Sequence, residues 1–184
     1  MSDTRSRILG IAEEMVRAGG YNGFSFREIA LAVGIKSASV HHHFPTKEAL
    51  TLEVARHYHE NFFSALGEPA PEGSRPGNQI ELYIDVFRKS FETSGRACLC
   101  GVLSNEAEQL PETLKEVVMT FVRANISWLE QALRPSPGDK SVRGRAELIY
   151  CAMEGAMGVS SLEKDFNWLD TVSSALRKAV LEPE

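Results

Sequence analysis

The segment Ser37-Ala-Ser-Val-His-His-His-Phe-Pro-Thr-Lys47 places three imidazoles, three hydroxyls and an ammonium group within eleven residues. Such groups can bind a metal ion or contact an anionic surface. Successive residues on a helix point about 100° apart, so His41, His42 and His43 cannot converge on one ion; helical metal pairs need i,i+4 or similar spacing. Contact with an anion suits the segment better. The small residues Ser37, Ala38 and Ser39 permit close approach, and their hydroxyls can donate. His41 and His42 reach further from the same helix, while His43, next to Phe44, is expected to turn inward. Lys36 immediately precedes the segment, and Lys47 stands at the start of the next helix, where its charge and the free backbone N–H groups both favour a phosphate. Arg27, in the first turn of the preceding helix, is placed for the same work.

The surrounding pattern shows what must hold these groups. Ile8, Leu9, Ala12, Met15 and Val16 recur at helical spacing from Thr4 until Gly19-Gly20. Ser25-Phe-Arg-Glu28 is a capping box opening a short helix that Gly34 ends. Ser37 is expected to cap a brief helix over 38–44 that Pro45 stops, and Thr46 to cap a longer one carrying Leu50, Val54, Tyr58 and Phe62 at steps of four. Helix, glycine turn, second short helix and flanking supports make a helix-turn-helix, which reads DNA by laying its second helix in the major groove.

Beyond Gly67 the sequence GEPAPEGSRPG, up to Gly77, has no periodicity and predicts a loop or hinge. Ile80, Tyr83, Ile84, Phe87 and Phe91, with Leu82 and Val86 on the other side, predict a central, nearly surrounded helix. Another runs from Pro111 through Leu114, Val118, Phe121 and Trp128 to a break at Arg134-Pro-Ser-Pro-Gly138. Segments 146–162 and 166–181 predict an αα-hairpin, and the first, AELIYCAMEGAMGVSSL, has the small residues that let another helix approach closely, either across a dimer seam or within one subunit. No strand or internal repeat is evident.

At 184 residues and net charge −5 the chain has the composition of an ordinary globular protein. Up to Glu60 it has seven basic and seven acidic residues; the remaining 13 basic and 18 acidic residues carry the negative excess, so charge alone does not identify a nucleic-acid binder. The N-terminus MSDTRSRILG has no apolar signal core, and the expected address is cytoplasmic, with no membrane contact. Every histidine lies at or before His59, and there is no GxSxG elbow, HExxH or glycine-rich phosphate loop, so no enzyme and no cofactor is expected. The other class to weigh is a helical interaction module whose helix-turn-helix has lost DNA binding, which the neutral N-terminal part would suit.

The stretch FSFREIALAVGIKSASVHHHFPTKEAL, Phe24 to Leu50, resembles the N-terminal signature of the tetracycline-repressor (TetR) family of one-component transcriptional regulators. The match covers roughly residues 5–54 closely and the remainder by helix count and length. The resemblance implies an all-α fold of about nine helices. Its three-helix DNA-binding domain would occupy 1–50, a connecting helix 51–66, and a larger ligand-binding and dimerisation domain 67–184. It further implies a homodimer through the two C-terminal helices that binds a near-palindromic operator on double-stranded DNA and is released by a small-molecule inducer. The DNA-contacting set would be Arg27, Lys36, Ser37, Ala38, Ser39, His41, His42 and Lys47. His41 departs from the pattern, since the family commonly has a phosphate-contacting tyrosine there.

A pocket between the central helices would be lined by Tyr83, Phe87, Phe91, Cys100, Phe121, Asn125 and Trp128, although aromatics at helical spacing also make plain core. Cys98 and Cys100 are candidate thiols for sensing oxidants or electrophiles; burial as small hydrophobes is the alternative. An odd cysteine count argues against a disulfide framework, and Cys151 is expected to pack.

Overall fold

The computed structural model describes residues 3–70, 76–133 and 141–181. Among these the chain is all-helical, with nine α-helices and no strand: α1 (Asp3–Gly19), α2 (Phe26–Val33), α3 (Ser37–His43), α4 (Lys47–Leu66), α5 (Pro76–Ser94), α6 (Leu99–Ser104), α7 (Glu112–Ala132), α8 (Val142–Glu163) and α9 (Asn167–Leu181). One 3₁₀ turn, Ala107–Gln109, lies between α6 and α7. Residues 71–75 of the expected loop and 134–138 at the expected break lie outside the described residues.

The chain divides into two compact units, Met1–Asn61 with Leu99–Thr120, and Phe62–Cys98 with Phe121–Glu184. The division does not follow chain order: segment 99–120 joins the N-terminal helices, and the boundaries fall inside α4 and α7.

In the first unit α2 starts and stops as its sequence dictates. The Ser25 hydroxyl accepts from the Glu28 N–H at 3.3 Å and donates to the Glu28 carboxylate at 2.7 Å. At the other end Gly34 takes φ 78°, and the N–H groups of Gly34 and Ile35 both reach back to the last turn, closing a Schellman motif. This tight exit delivers the chain directly into α3. Ser37 is therefore the first helical residue rather than a cap; Lys36 occupies the cap position with no side-chain bond. Thr46 does cap α4, accepting from the Ala49 N–H at 3.0 Å. Ile8, Ala12, Val16, Ile29, Val40 and Leu50 fill the core beneath, and α1 packs on both α2 and α6.

In the second unit α8 and α9 form the expected hairpin, joined at Lys164 in the left-handed conformation, with α5 packed on both. Arg177 grips the Glu81 carboxylate through two nitrogens at 2.6 and 2.8 Å, and Arg88 pairs with Asp170. The interior is aromatic. Phe62 meets Phe121 at 5.1 Å, Phe87 at 5.5 Å and Tyr83 at 6.3 Å between centroids, and Tyr83 stacks on Trp128. The polar tips are satisfied: the Tyr83 hydroxyl donates to Asn125 Oδ1 at 2.8 Å, Asn125 Nδ2 to the Phe121 carbonyl, and Trp128 Nε1 to the Gly67 carbonyl. Burial holds the Tyr83 hydroxyl protonated well above the ordinary tyrosine range, with Glu154, Cys98 and Cys151 adding to the shift.

Two expectations change here. Leu82, read as part of a surrounded helix, is 38% exposed. Cys151, expected to pack, is exposed on α8. Both follow from one cause: apolar periodicity marks a face to be covered without showing that this subunit covers it. No helix among the described residues is long and apolar enough to cross a membrane.

Candidate nucleic-acid interface

The α3 helix is pinned by Val40, which is fully buried, so the opposite side of its short cylinder faces outward. Ala38, His41 and His42 are exposed there, at i, i+3 and i+4. Lys36 at the helix entry is exposed, Ser37 and Ser39 are half-buried flanks, and Arg27 is exposed on α2. His43 is half-buried, its ring edge-on to His42 at 5.6 Å between centroids, and so only partly turned inward. The His41 ring lies 4.6 Å from that of Phe26.

A shallow depression of about 320 Å³ adjoins this face, lined by Phe24, Ser25, Phe26, His41, Pro45, Thr46 and Lys47. Ser25 and Thr46 are the caps of α2 and α4, so two helix N-termini and an imidazole border one apolar hollow. Free N–H groups and the positive ends of two helix dipoles favour an anion there.

Lys47 has a second role that its position in the sequence does not reveal. Its ammonium donates to the Phe24 carbonyl at 2.8 Å and lies over the rings of Phe24, at 4.5 Å, and Tyr21, at 5.4 Å. Burial lowers its pKa, while Glu28 and Glu106 act in the opposite direction. An ammonium has three donors, so two remain for other partners.

Of the residues expected to line a ligand pocket, the structure buries Tyr83, Phe87, Phe121, Asn125 and Trp128 in the aromatic interior of the second unit, with Tyr83 touching Phe87, Trp128 and Asn125, and Phe121 accepting from Asn125 and meeting Phe62. Phe91 lies instead against Phe166, with centroids 4.8 Å apart. Cys100, on α6, belongs to the first unit. Cys98 and Cys100 are each 1% exposed, against the accessibility that a reactive thiolate requires.

Comparison with known proteins agrees with this architecture. Residues 8–54 match the sequence model of the family described as "Bacterial regulatory proteins, tetR family". The regulator TcmR of Streptomyces glaucescens is 29% identical over 163 residues, covering 89% of this chain and 64% of that protein. The transcriptional repressor KstR2 of Rhodococcus jostii is 28% identical over 96 residues, 52% of this chain and 47% of that one. The chain thus spans about half to under two thirds of the length of these curated relatives. Among solved structures, a TetR transcriptional regulator from Legionella pneumophila superposes with a TM-score of 0.89 at 28% identity, covering 98% of both chains. A TetR-family regulator from Agrobacterium tumefaciens gives 0.85 at 27% identity, over 96% of this chain and 97% of that one. Residues 8–54 thus carry the helix-turn-helix of the tetR family of bacterial regulatory proteins, and along nearly its whole length the chain is similar to solved TetR transcriptional regulators.

Proposed function

We propose that this chain is a DNA-binding transcriptional regulator that acts as a homodimer and changes its operator affinity when a small molecule binds its helical body. The observation that carries the DNA-binding half is the exposed α3 face of Ala38, His41 and His42 beside the hollow between the α2 and α4 N-termini. The side chains of α3 contact base edges in the major groove, and Arg27, Lys36 and Lys47 with the two helix ends hold phosphates. His41 donates to phosphate where the family pattern has a tyrosine, with a shorter reach.

Dimerisation uses α8 and α9. On α8 the residues Leu148, Cys151, Gly155 and Leu162 are all exposed and recur at helical spacing, with Leu148 64% and Leu162 82% accessible; Trp168 on α9 is 45% accessible. A stripe that mixes large apolar side chains with glycine suits close packing against a second copy of itself. The ligand enters the Tyr83–Asn125–Trp128 region by selecting a conformation in which those rings part. Burial of Cys98 and Cys100 supports their reading as packing groups over that as thiol sensors.

The test is binding of the purified protein to double-stranded DNA at several salt concentrations, for the natural chain and for Lys47→Ala. Lys47→Ala weakens binding to all sequences and lowers the salt slope by about one, because one phosphate contact is lost. An unchanged slope refutes the phosphate role of Lys47.

A further inference from the structure

The loop between α1 and α2 forms one wall of the anion-favouring hollow, and a residue 85 positions downstream holds it. The Tyr21 backbone N–H, left without a helical partner where α1 ends, donates to Glu106 Oε2 at 2.7 Å. Gly20 makes that approach possible. It has φ 72°, and a Cβ there would stand 1.9 Å from Glu106 Oε1, so both the backbone conformation and the carboxylate exclude a side chain. Asn22 Nδ2 donates to Gln109 Oε1 at 3.0 Å alongside it, and Thr113 Oγ1 donates to Glu48 Oε1 in the first turn of α4 at 2.5 Å. The loop so held presents the Phe24 carbonyl to the Lys47 ammonium, and its Tyr21 and Phe24 rings lie beneath the charge.

We propose that Glu106 is a positioning residue for DNA binding: through the Tyr21 N–H it fixes the Gly20–Phe24 loop, and through the Phe24 carbonyl it aims Lys47 at a DNA phosphate. The inference rests on the DNA-binding reading above and adds a residue outside the helix-turn-helix. Glu106 touches no DNA itself; its carboxylate would repel a phosphate, so its contribution comes from the hydrogen bond.

The experiment is a double-mutant cycle on the full-length protein, read as affinity and salt slope on one duplex, at a temperature where circular dichroism shows every variant folded. Glu106→Ala is expected to weaken binding about ten-fold and to lower the salt slope by about one, as Lys47→Ala does. The double variant should bind no more weakly than Lys47→Ala alone, because both remove the same contact. Glu106→Gln keeps an oxygen that accepts from Tyr21 and should stay within about three-fold of the natural chain. A merely structural residue would lower stability without moving the slope or coupling to Lys47. The proposal is overturned if Glu106→Ala binds like the natural chain, if its loss multiplies with that of Lys47→Ala, or if Glu106→Gln falls as far as Glu106→Ala. A natural chain that binds no duplex at all overturns the functional reading as well; a natural chain that binds, with Glu106→Ala unaltered, overturns this inference alone.

Discussion

In the first unit Arg27, Lys36, His41 and His42 stand exposed and His41 borders a shallow apolar hollow, whereas in the second Tyr83 and Asn125 are buried and paired while Leu148, Leu162 and Trp168 face outward. The two surfaces therefore ask for different partners. A polar face bordered by helix N-termini suits a charged, hydrated polymer whose affinity depends on salt. An exposed apolar stripe with glycines suits a dry, shape-matched contact with another helix pair. In the second unit Tyr83, Asn125 and Trp128 spend their polar atoms on internal bonds, and Leu148, Leu162 and Trp168 offer apolar area outward.

The largest expected effect breaks the second unit from inside. Phe121 is fully buried against Phe62, so Phe121→Ala should cost about 3–5 kcal/mol of stability in urea or thermal unfolding. A loss below about 1 kcal/mol would mean that the aromatic interior is loosely packed. Next comes the outward face. Leu148→Glu with Leu162→Glu places unpaired carboxylates in the proposed seam, at about 3 kcal/mol or more of association energy. Light scattering should then read a monomer where the natural chain gives a dimer; an unchanged dimer would move the seam elsewhere.

The first unit responds more gently. Ser25→Ala removes the cap of α2 and should cost about 1 kcal/mol, because the capping bonds are exposed. It should also weaken DNA binding, since the same N-terminus borders the hollow; full affinity would separate the cap from the anion site. The smallest effect belongs to Glu81, whose pKa the hydrogen bond from Arg177 lowers against the opposing effect of burial. A carboxylate held below its ordinary value of 4.5 contributes stability above that pH and loses it as the pH falls through the folded value. With both side chains more than a third exposed, the contribution is below about 1 kcal/mol. It should disappear in Arg177→Gln, and an acid unfolding curve identical for both chains would mean that the pair adds nothing.

The first unit was the more legible in sequence because its signals are local. Ser25, Glu28 and Gly34 act within one turn of their own positions, so the start and end of α2 are legible in the sequence itself. Ser37 shows the limit: a serine before a helical run reads as a cap, but the Schellman turn at Gly34 starts α3 one residue earlier. Where contacts are long-range the sequence is silent. Nothing near Glu106 points to Tyr21, and nothing near Lys47 points to the Phe24 carbonyl, because each pair meets only after the helices pack. The same limit explains Leu82 and Cys151, whose periodicity marks an apolar face without showing whether the chain itself covers it. It explains Cys100 too, grouped by residue type with a pocket but carried by α6 into the first unit.

In the proposed function the α3 face and its flanking helix ends read duplex DNA with two-fold symmetry. The direct measurement is selection of genomic fragments by the purified protein under reducing conditions, followed by sequencing. One inverted-repeat site should be enriched, more weakly on substituting Lys47 and with a shifted base preference on substituting His42. No enriched fragment would contradict it and leave a helical interaction module in its place.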